Sequence, residues 1–395
     1  MKQAMKKGAG IIPTSRVAAF KNKNGMSGNN ADKELSWITM PPAFVDALRL
    51  PGFPIGYISS IIGHSNTGKS TLVNHALTEA QRMGVLPVII DTENNFDFSY
   101  AIDMGFKAEP VIEDVTEEVL DTETGEIKTV TNKKITNYDG DFLYVNSAIL
   151  ADMYGDEDYS TGKKTSTKRN VALIEDVAKF VTVVLDAQDN GEFGDETEHK
   201  GILFVWDSVN SVGSYQGYKS QSSNNMWNAA AIENSFREIF NSRIPCSRKV
   251  GQKYTNTMIL VQKVSVEMSP TGIASAKGKG GKELTYTARL QIFVGGVKGA
   301  GTKTLSAISK GVSYSYGTET KLKSPKNQLP NPYCIASEGK VVCTATGIIK
   351  PTDVDEYRKK NLPSILKKLN EKLTESDNET VGIEDIQFTE TENAE

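Results

Sequence analysis

Cysteine and histidine are scarce in this chain, at three residues each among 395. Cys246, Cys334 and Cys343 are odd in number and lack a Cys-x-x-Cys spacing, so neither a disulfide framework nor a thiolate zinc site is indicated. His64, His75 and His199 share no spacing pattern, which leaves imidazole metal chemistry nothing to build on. An excess of positive charge is also missing. The formal net charge of -4 and pI of about 5.7 exclude a uniformly basic nucleic-acid coat, although a local basic surface can hide in that average. Lys2, Lys6, Lys7, Arg16, Lys21 and Lys23 precede the first acid, Asp32, and no apolar core of signal-peptide length follows them. The reading is a reduced, cytoplasmic protein with a basic arm and no membrane partner.

With 38% hydrophobic and 24% charged residues, the chain can bury a full core as one large domain or two. Residues 1–34 are rich in Lys, Gly, Asn and Ser with little periodicity and are expected to form a flexible basic arm. A core is expected over 35–345. Its candidate strands are Tyr57 to Ile62, Leu86 to Asp91, Phe142 to Asn146, Ile202 to Asp207, Met258 to Gln262 and Ala288 to Val294. The candidate helices are Lys69 to Met83, Phe98 to Met104, Thr167 to Ala187 and Met226 to Ser242, with a shorter amphipathic one in "PPAFVDALRL". Such alternation predicts an α/β fold, a mostly parallel sheet flanked by helices, with ligands at the carboxyl ends of the strands.

Two insertions interrupt the pattern, at about 107–140 and 152–168. The first has turn residues Thr124 and Gly125 between strand-like arms and reads as an inserted hairpin; the second reads as a polar surface loop. Residues 346–373 suggest a short helical segment interrupted near Pro363. After Lys372 come eight acids and no base, so 374–395 is expected to be an acidic disordered tail.

Chemistry concentrates in Gly63-His64-Ser65-Asn66-Thr67-Gly68-Lys69-Ser70, which fits the P-loop pattern Gly-x4-Gly-Lys-Ser/Thr between an expected strand and an expected helix. Glycines let the backbone wrap phosphates, and N–H groups at a helix start supply a positive field. Lys69 reaches the terminal phosphates, Ser70 ligates Mg2+, and Thr71 adds a phosphate contact. The metal needs an acid on a neighbouring strand, and "ILFVWDS" offers Asp207, followed by Ser208, at the end of an apolar run. Apolar runs ending in Asp are common; the pairing with the P-loop gives this one its meaning. Glu93, just past "VLPVIID", is the carboxylate that would orient water at the γ-phosphate, against the plainer reading of a solvated loop acid.

Taken in order, "GFPIGYISSIIGHSNTGKST", "VIIDTENNFDFSYAIDMGF", "ILFVWDSVNSV", "MILVQKV" and "GGKELTYTARLQI" resemble the RecA family, including phage recombinases of the UvsX kind, over roughly residues 37–345. The resemblance implies a RecA-like P-loop NTPase core that binds ATP and Mg2+ and acts as a DNA-dependent ATPase. It implies Glu93 as the catalytic glutamate, Asp97 and Tyr100 framing the adenine, and Gln262 sensing the γ-phosphate. The family's two DNA-binding loops correspond to Ser211–Asn225, with Tyr215, Tyr218 and Lys219, and to Lys263–Glu283, with Lys263, Lys277, Lys279 and Lys282 among four glycines. Lysines pair with phosphates and aromatic groups stack on bases, although Gly/Lys loops also serve as plain solvated connections. Lys326 matches a basic position that faces the neighbouring subunit's nucleotide, whereas Gln328 stands where the family has a second lysine; Lys323 is a candidate substitute.

The implied function is recombination and repair: ATP-dependent filaments on single-stranded DNA that pair it with homologous duplex. Single-strand-binding and loading proteins would be partners, in the cytoplasm of a bacterial cell or phage-infected host. The acidic tail resembles family tails that restrain access to duplex DNA. An N-terminal docking helix is not evident, and the C-terminal domain is reduced. Two other readings share the core: a hexameric helicase motor, which would need an arginine finger, and an ATP-switched accessory assembly protein, which would need no catalytic Glu93.

Overall fold

Side chains along Ile202–Asp207 alternate between two buried clusters: Leu203 and Val205 enter one, Phe204 and Trp206 the other. Ile259 and Val261 against Met258 and Leu260 repeat the division, as does Ile89 against Val88 and Ile90. A strand apolar on both faces must be covered on both, and this is what the computed structural model shows. It describes residues 15–25, 31–120, 127–195, 197–221, 225–268, 274–278, 282–296, 302–375 and 380–392.

The main sheet has eleven strands. They are β1 (Ile58–Gly63), β2 (Leu86–Asp91), β3 (Leu143–Asn146), β4 (Ile202–Asp207), β5 (Thr257–Gln262), β6 (Leu290–Val294), β7 (Lys303–Ser309), β8 (Val312–Asn327), β9 (Glu338–Thr344), β10 (Gly347–Ile349) and β11 (Gln387–Glu392). Their order is β10-β9-β8-β6-β1-β5-β4-β2-β3, with β7 pairing β8 and β11. From β6 to β3 every pairing is parallel; β8, β9 and β10 extend the sheet antiparallel. Helices Pro42–Leu48 and Lys69–Arg82 cover one face, and Ile174–Asp189 and Asn225–Ser235 the other. The mostly parallel, helix-flanked sheet expected from the alternation is present. So is the inserted hairpin, with Glu109–Leu120 antiparallel to Ile127–Asp139; its expected turn, Thr124–Gly125, lies outside the described residues. No helix among the described residues is long and apolar enough to cross a membrane.

Several expectations need correction. Within the arm expected to be flexible, Ser15–Lys23 is a helix, with Phe20 exposed. The helix expected from Thr167 begins at Ile174, because the preceding residues carry Arg169 inward. Both terminal guanidinium nitrogens of Arg169 donate to the Asp176 carboxylate at 2.6 Å, and Nη2 also donates to the Tyr154 carbonyl. Asp176 further accepts from the Tyr159 hydroxyl and the Leu173 N–H. The polar insertion therefore has a buried anchor and is more than a surface loop. The single helix expected over Met226–Ser242 is divided into Asn225–Ser235, a π turn at Ile239–Arg243 and Ile244–Ser247. Pro363 does not interrupt its segment: one helix runs Val354–Glu375, held by a buried stripe of Ile365, Leu369 and Leu373 that outweighs the lost backbone bond. The acidic tail is not wholly without structure either, since β11 pairs with β7.

Both members of the Arg169–Asp176 pair are buried, so removing one strands the other. Arg169→Met should lower unfolding free energy by about 3–5 kcal/mol in chemical denaturation; a loss within experimental error would contradict the assigned anchor.

Candidate active site

The P-loop leaves β1 at Gly63, between β5 and β6, where Val294 lies opposite Gly63 and Gln262 opposite Ile62. Its turn closes on itself, for the His64 carbonyl accepts from the Lys69 ammonium and from the Thr67 hydroxyl at 2.9 Å. Gly68, at φ 99°, precedes the helix Lys69–Arg82, and a Cβ there would stand 2.4 Å from the Cys343 sulfur. Backbone conformation and neighbour both demand glycine.

Beside the loop, β2 and β4 end together, with Asp91 opposite Asp207. Asp91 accepts from the N–H groups of Glu93 and Phe96 and from the Tyr144 hydroxyl, which shapes the turn that carries Glu93. Ser208 donates to the Glu93 carboxylate, and the Lys263 ammonium lies 3.0 Å from the same oxygen. A cavity of about 450 Å³ here is lined by Ser65, Asn66, Lys69, Ser70, Glu93, Asn95, Asp207, Ser208 and Lys263.

Charge in this cavity is finely opposed. Burial pushes the Asp207 carboxyl up to about 6, the Glu93 charge adds to that, and Lys69 and Lys263 act against it. Burial also acts to raise Glu93, but the bonds from Ser208 and Lys263 outweigh it and hold the group below its usual range. Lys69 is lowered by burial, with Asp207 and Glu93 pulling the other way. A divalent cation would relieve the Asp207–Glu93 repulsion. Ser70 and Asp207 fit as its protein ligands, the rest of its coordination falling to phosphate oxygens and water. Among the described residues no cluster of three or more His, Cys, Asp and Glu side chains forms an all-protein metal cage. Gln262 is buried, and its amide nitrogen has no hydrogen-bond partner among the described residues.

A second cavity of about 680 Å³ shares Asn66, Lys69 and Ser70 with the first. Asp97 and Tyr100 line it. Asp97 caps a short helix by accepting from the Tyr100 N–H, while the Tyr100 hydroxyl meets the Thr71 hydroxyl at 2.8 Å and the Thr344 carbonyl at 3.0 Å. Opposite stand residues 314–318 of β8 and 343–345 at the end of β9. Sequence reasoning missed that wall, because no short motif links Tyr314, Tyr316 or Cys343 to a P-loop some 250 residues earlier.

The residues expected to contact DNA divide. Tyr218 is exposed, whereas Tyr215 is buried edge-on against Tyr159 at 5.6 Å and supports its loop from within. Lys219 lies over the Tyr215 ring and 3.4 Å from Asp158. Lys263 is engaged with Glu93, inside the cavity. Behind it the expected loop is a paired ribbon, Val264–Met268 with Ala274–Gly278, which carries Lys277; Lys282 opens the next helix, and Lys279 lies outside the described residues. Lys326 lines neither cavity: it pairs across from Gln291 at the level of Ser60, and its ammonium rests on the carbonyls of Thr285 and Tyr286. Lys323 is near Glu338, and the Arg289 guanidinium meets Gln328.

Residues 19–130 match the family described as the RecA N-terminal domain. The chain is similar to the protein RecA of Porphyromonas gingivalis, 42% identical over 79 residues, or 20% of this chain and 23% of that protein. It is 43% identical over 60 residues to protein RecA of Treponema pallidum, 15% of each chain. To protein RecA of Bacteroides thetaiotaomicron it is 44% identical over 59 residues, 15% of this chain and 18% of that one. Each match thus spans less than a quarter of the relative's length. The likeness to phage recombinases rests on the motifs alone.

The contact at Gly68 yields a paired prediction. Gly68→Ala should weaken binding of a fluorescent ATP analogue roughly 10- to 100-fold, the cost of a side chain forced into a strained backbone region. Adding Cys343→Ala should recover part of the loss by removing the sulfur; no recovery would mean that the contact contributes nothing.

Proposed function

We propose that this chain, similar to the RecA family over residues 19–130, is an ATP-dependent recombinase that binds single-stranded DNA, forms filaments and pairs the bound strand with homologous duplex. The observation that carries this reading is the meeting of Lys69, Ser70, Glu93 and Asp207 on one cavity at the carboxyl ends of adjacent parallel strands. Phosphoryl transfer asks mainly for positioning and charge, and this set supplies both.

In this reading the P-loop backbone and Lys69 hold the β- and γ-phosphates. Ser70 and Asp207 would hold Mg2+, which would neutralise phosphate charge when bound. Glu93 stays ionised because Ser208 and Lys263 stabilise its carboxylate, so it can accept a hydrogen bond from water and orient it for attack. The unmatched Gln262 amide would donate to the γ-phosphate. Its neighbour Lys263 begins the ribbon at 264–278, which gives nucleotide state a route to the DNA-binding side.

The DNA surface is assigned to Tyr218, Lys219, the ribbon with Lys277, and Lys282 at the start of the next helix; Lys279, outside the described residues, belongs to the same proposal. Tyr215 serves as an internal support. Lys326 would meet the nucleotide of the next subunit: it lines neither cavity of its own subunit, and burial together with the Arg289 charge depresses its pKa, a penalty that a phosphate would offset. Single-strand-binding and loading proteins would act with the filament.

ATP turnover measured with and without single-stranded DNA tests this reading, with stimulation expected. Glu93→Gln should keep ATP binding and slow turnover by about 10²-fold or more, while Lys69→Ala should lose binding or turnover. Turnover indifferent to DNA, or Glu93→Gln at the wild-type rate, would contradict the proposal.

A further inference from the structure

The wall of the larger cavity facing the Lys69–Arg82 helix is formed by residues 314–318 of β8 with Thr304 of β7. Behind that wall stands the C-terminal strand. β11 pairs antiparallel with β7 from Lys303 opposite Glu392 to Ile308 opposite Gln387, and so covers a strand whose other neighbour among the described residues is β8. In β8, pairing with β6 covers Leu322–Asn327 and pairing with β9 covers Gly317–Lys323, so Val312–Tyr316 has β7 as its sheet neighbour among the described residues and takes its backing from the β7–β11 pair.

Side chains carry the contact through to the cavity. Phe388 of β11 meets Tyr316 edge-on, with ring centres 5.8 Å apart. The Arg358 guanidinium lies 5.2 Å from the Phe388 ring and 5.6 Å from that of Tyr316, and its Nε donates to the Tyr316 hydroxyl at 2.5 Å. Asp355 at 3.0 Å and Glu390 of β11 at 3.6 Å hold Arg358 from two sides. Tyr357 lies nearly parallel to Tyr316, 6.4 Å away. Tyr316, only 3% exposed, is thereby set from behind while it lines the cavity in front.

We propose that the C-terminal strand is a positioning element of the nucleotide cavity: by holding Arg358 and Phe388 against Tyr316, it keeps the 314–318 wall at the spacing that nucleotide binding requires. The proposal rests on the reading of this cavity as the nucleotide site. It gives the acidic tail a role distinct from electrostatic competition for DNA, since the contacts of Phe388 and Glu390 are with the sheet and the Val354–Glu375 helix. Among the described residues no hydrogen bond or ion pair joins β11 to a group assigned to hydrolysis, so the strand acts on affinity and leaves the chemical step alone. Arg358 and Phe388 are positioning residues.

The test compares the full chain with Phe388→Ala, Phe388→Tyr and a chain lacking 381–395. Binding of a fluorescent ATP analogue with Mg2+ is measured without DNA, alongside KM and kcat for ATP turnover. Phe388→Ala and the truncation should weaken nucleotide binding roughly three- to tenfold, the equivalent of one lost aromatic contact. KM should rise and kcat stay unchanged, while Phe388→Tyr, which keeps the ring, should bind as the wild type does. Unchanged affinity in Phe388→Ala, or a fall in kcat with KM unaltered, overturns the proposal and leaves the proposed function standing. A wild-type chain that binds no nucleotide overturns both. If the truncated chain fails to fold, the Phe388→Ala and Phe388→Tyr pair decides.

Discussion

Two carboxylates and two ammonium groups share one partly buried space at the ends of neighbouring strands, and much of the structure serves to keep them there. Asp207 and Glu93 repel each other; Lys69 and Lys263 compensate. Burial disfavours both carboxylate charges, and the two cations act against it at each acid. A parallel sheet brings such groups together from distant parts of the sequence, because each strand delivers its C-terminal residue to the same edge. The register of Asp207 with Asp91, and of Gln262 with Ile62, puts the acid, the amide and the P-loop side by side.

The same edge carries connections outward. Thr92, next to Glu93, donates to the Ser208 carbonyl and accepts from the Trp206 indole and the Ser211 hydroxyl. Ser211 opens the first loop assigned to DNA. Farther along, Ser214 caps the turn Tyr215–Lys219, and Tyr215 is fixed by the Glu175 carboxylate on its N–H and by Tyr159 on its ring. Tyr159 in turn bonds Asp176, partner of Arg169. Two sets of contacts, one from the Glu93 turn to Ser211 and one from Ser214 to the buried anchor of the second insertion, are thus joined by the short stretch of chain between Ser211 and Ser214.

Sequence reading succeeded where physics is local. Leu86–Asp91 and Ile202–Asp207 were legible to the residue because a strand buried on both faces is a continuous apolar run with a polar stop. The P-loop was legible because its glycines and its lysine are required by phosphate geometry at fixed spacing. Reading failed where long-range contacts override local preference. Pro363 sits within a helix because Ile365, Leu369 and Leu373 bury their side chains. Arg169 enters the core because Asp176 waits there, and Tyr215 turns inward to meet Tyr159. An acidic segment becomes a strand because Phe388 finds Tyr316 and Glu390 finds Arg358 and Lys303. The far wall of the cavity, drawn from β8 and β9, had no sequence signal at all.

The central claim is that this cluster binds ATP to build a filament in which one subunit's Lys326 meets its neighbour's nucleotide. Electron cryomicroscopy of the chain on single-stranded DNA with a slowly hydrolysed ATP analogue tests it most directly. The account predicts helical filaments with nucleotide held between the P-loop of one subunit and Lys326 of the next. Closed rings, or nucleotide far from Lys326 at every interface, would contradict it.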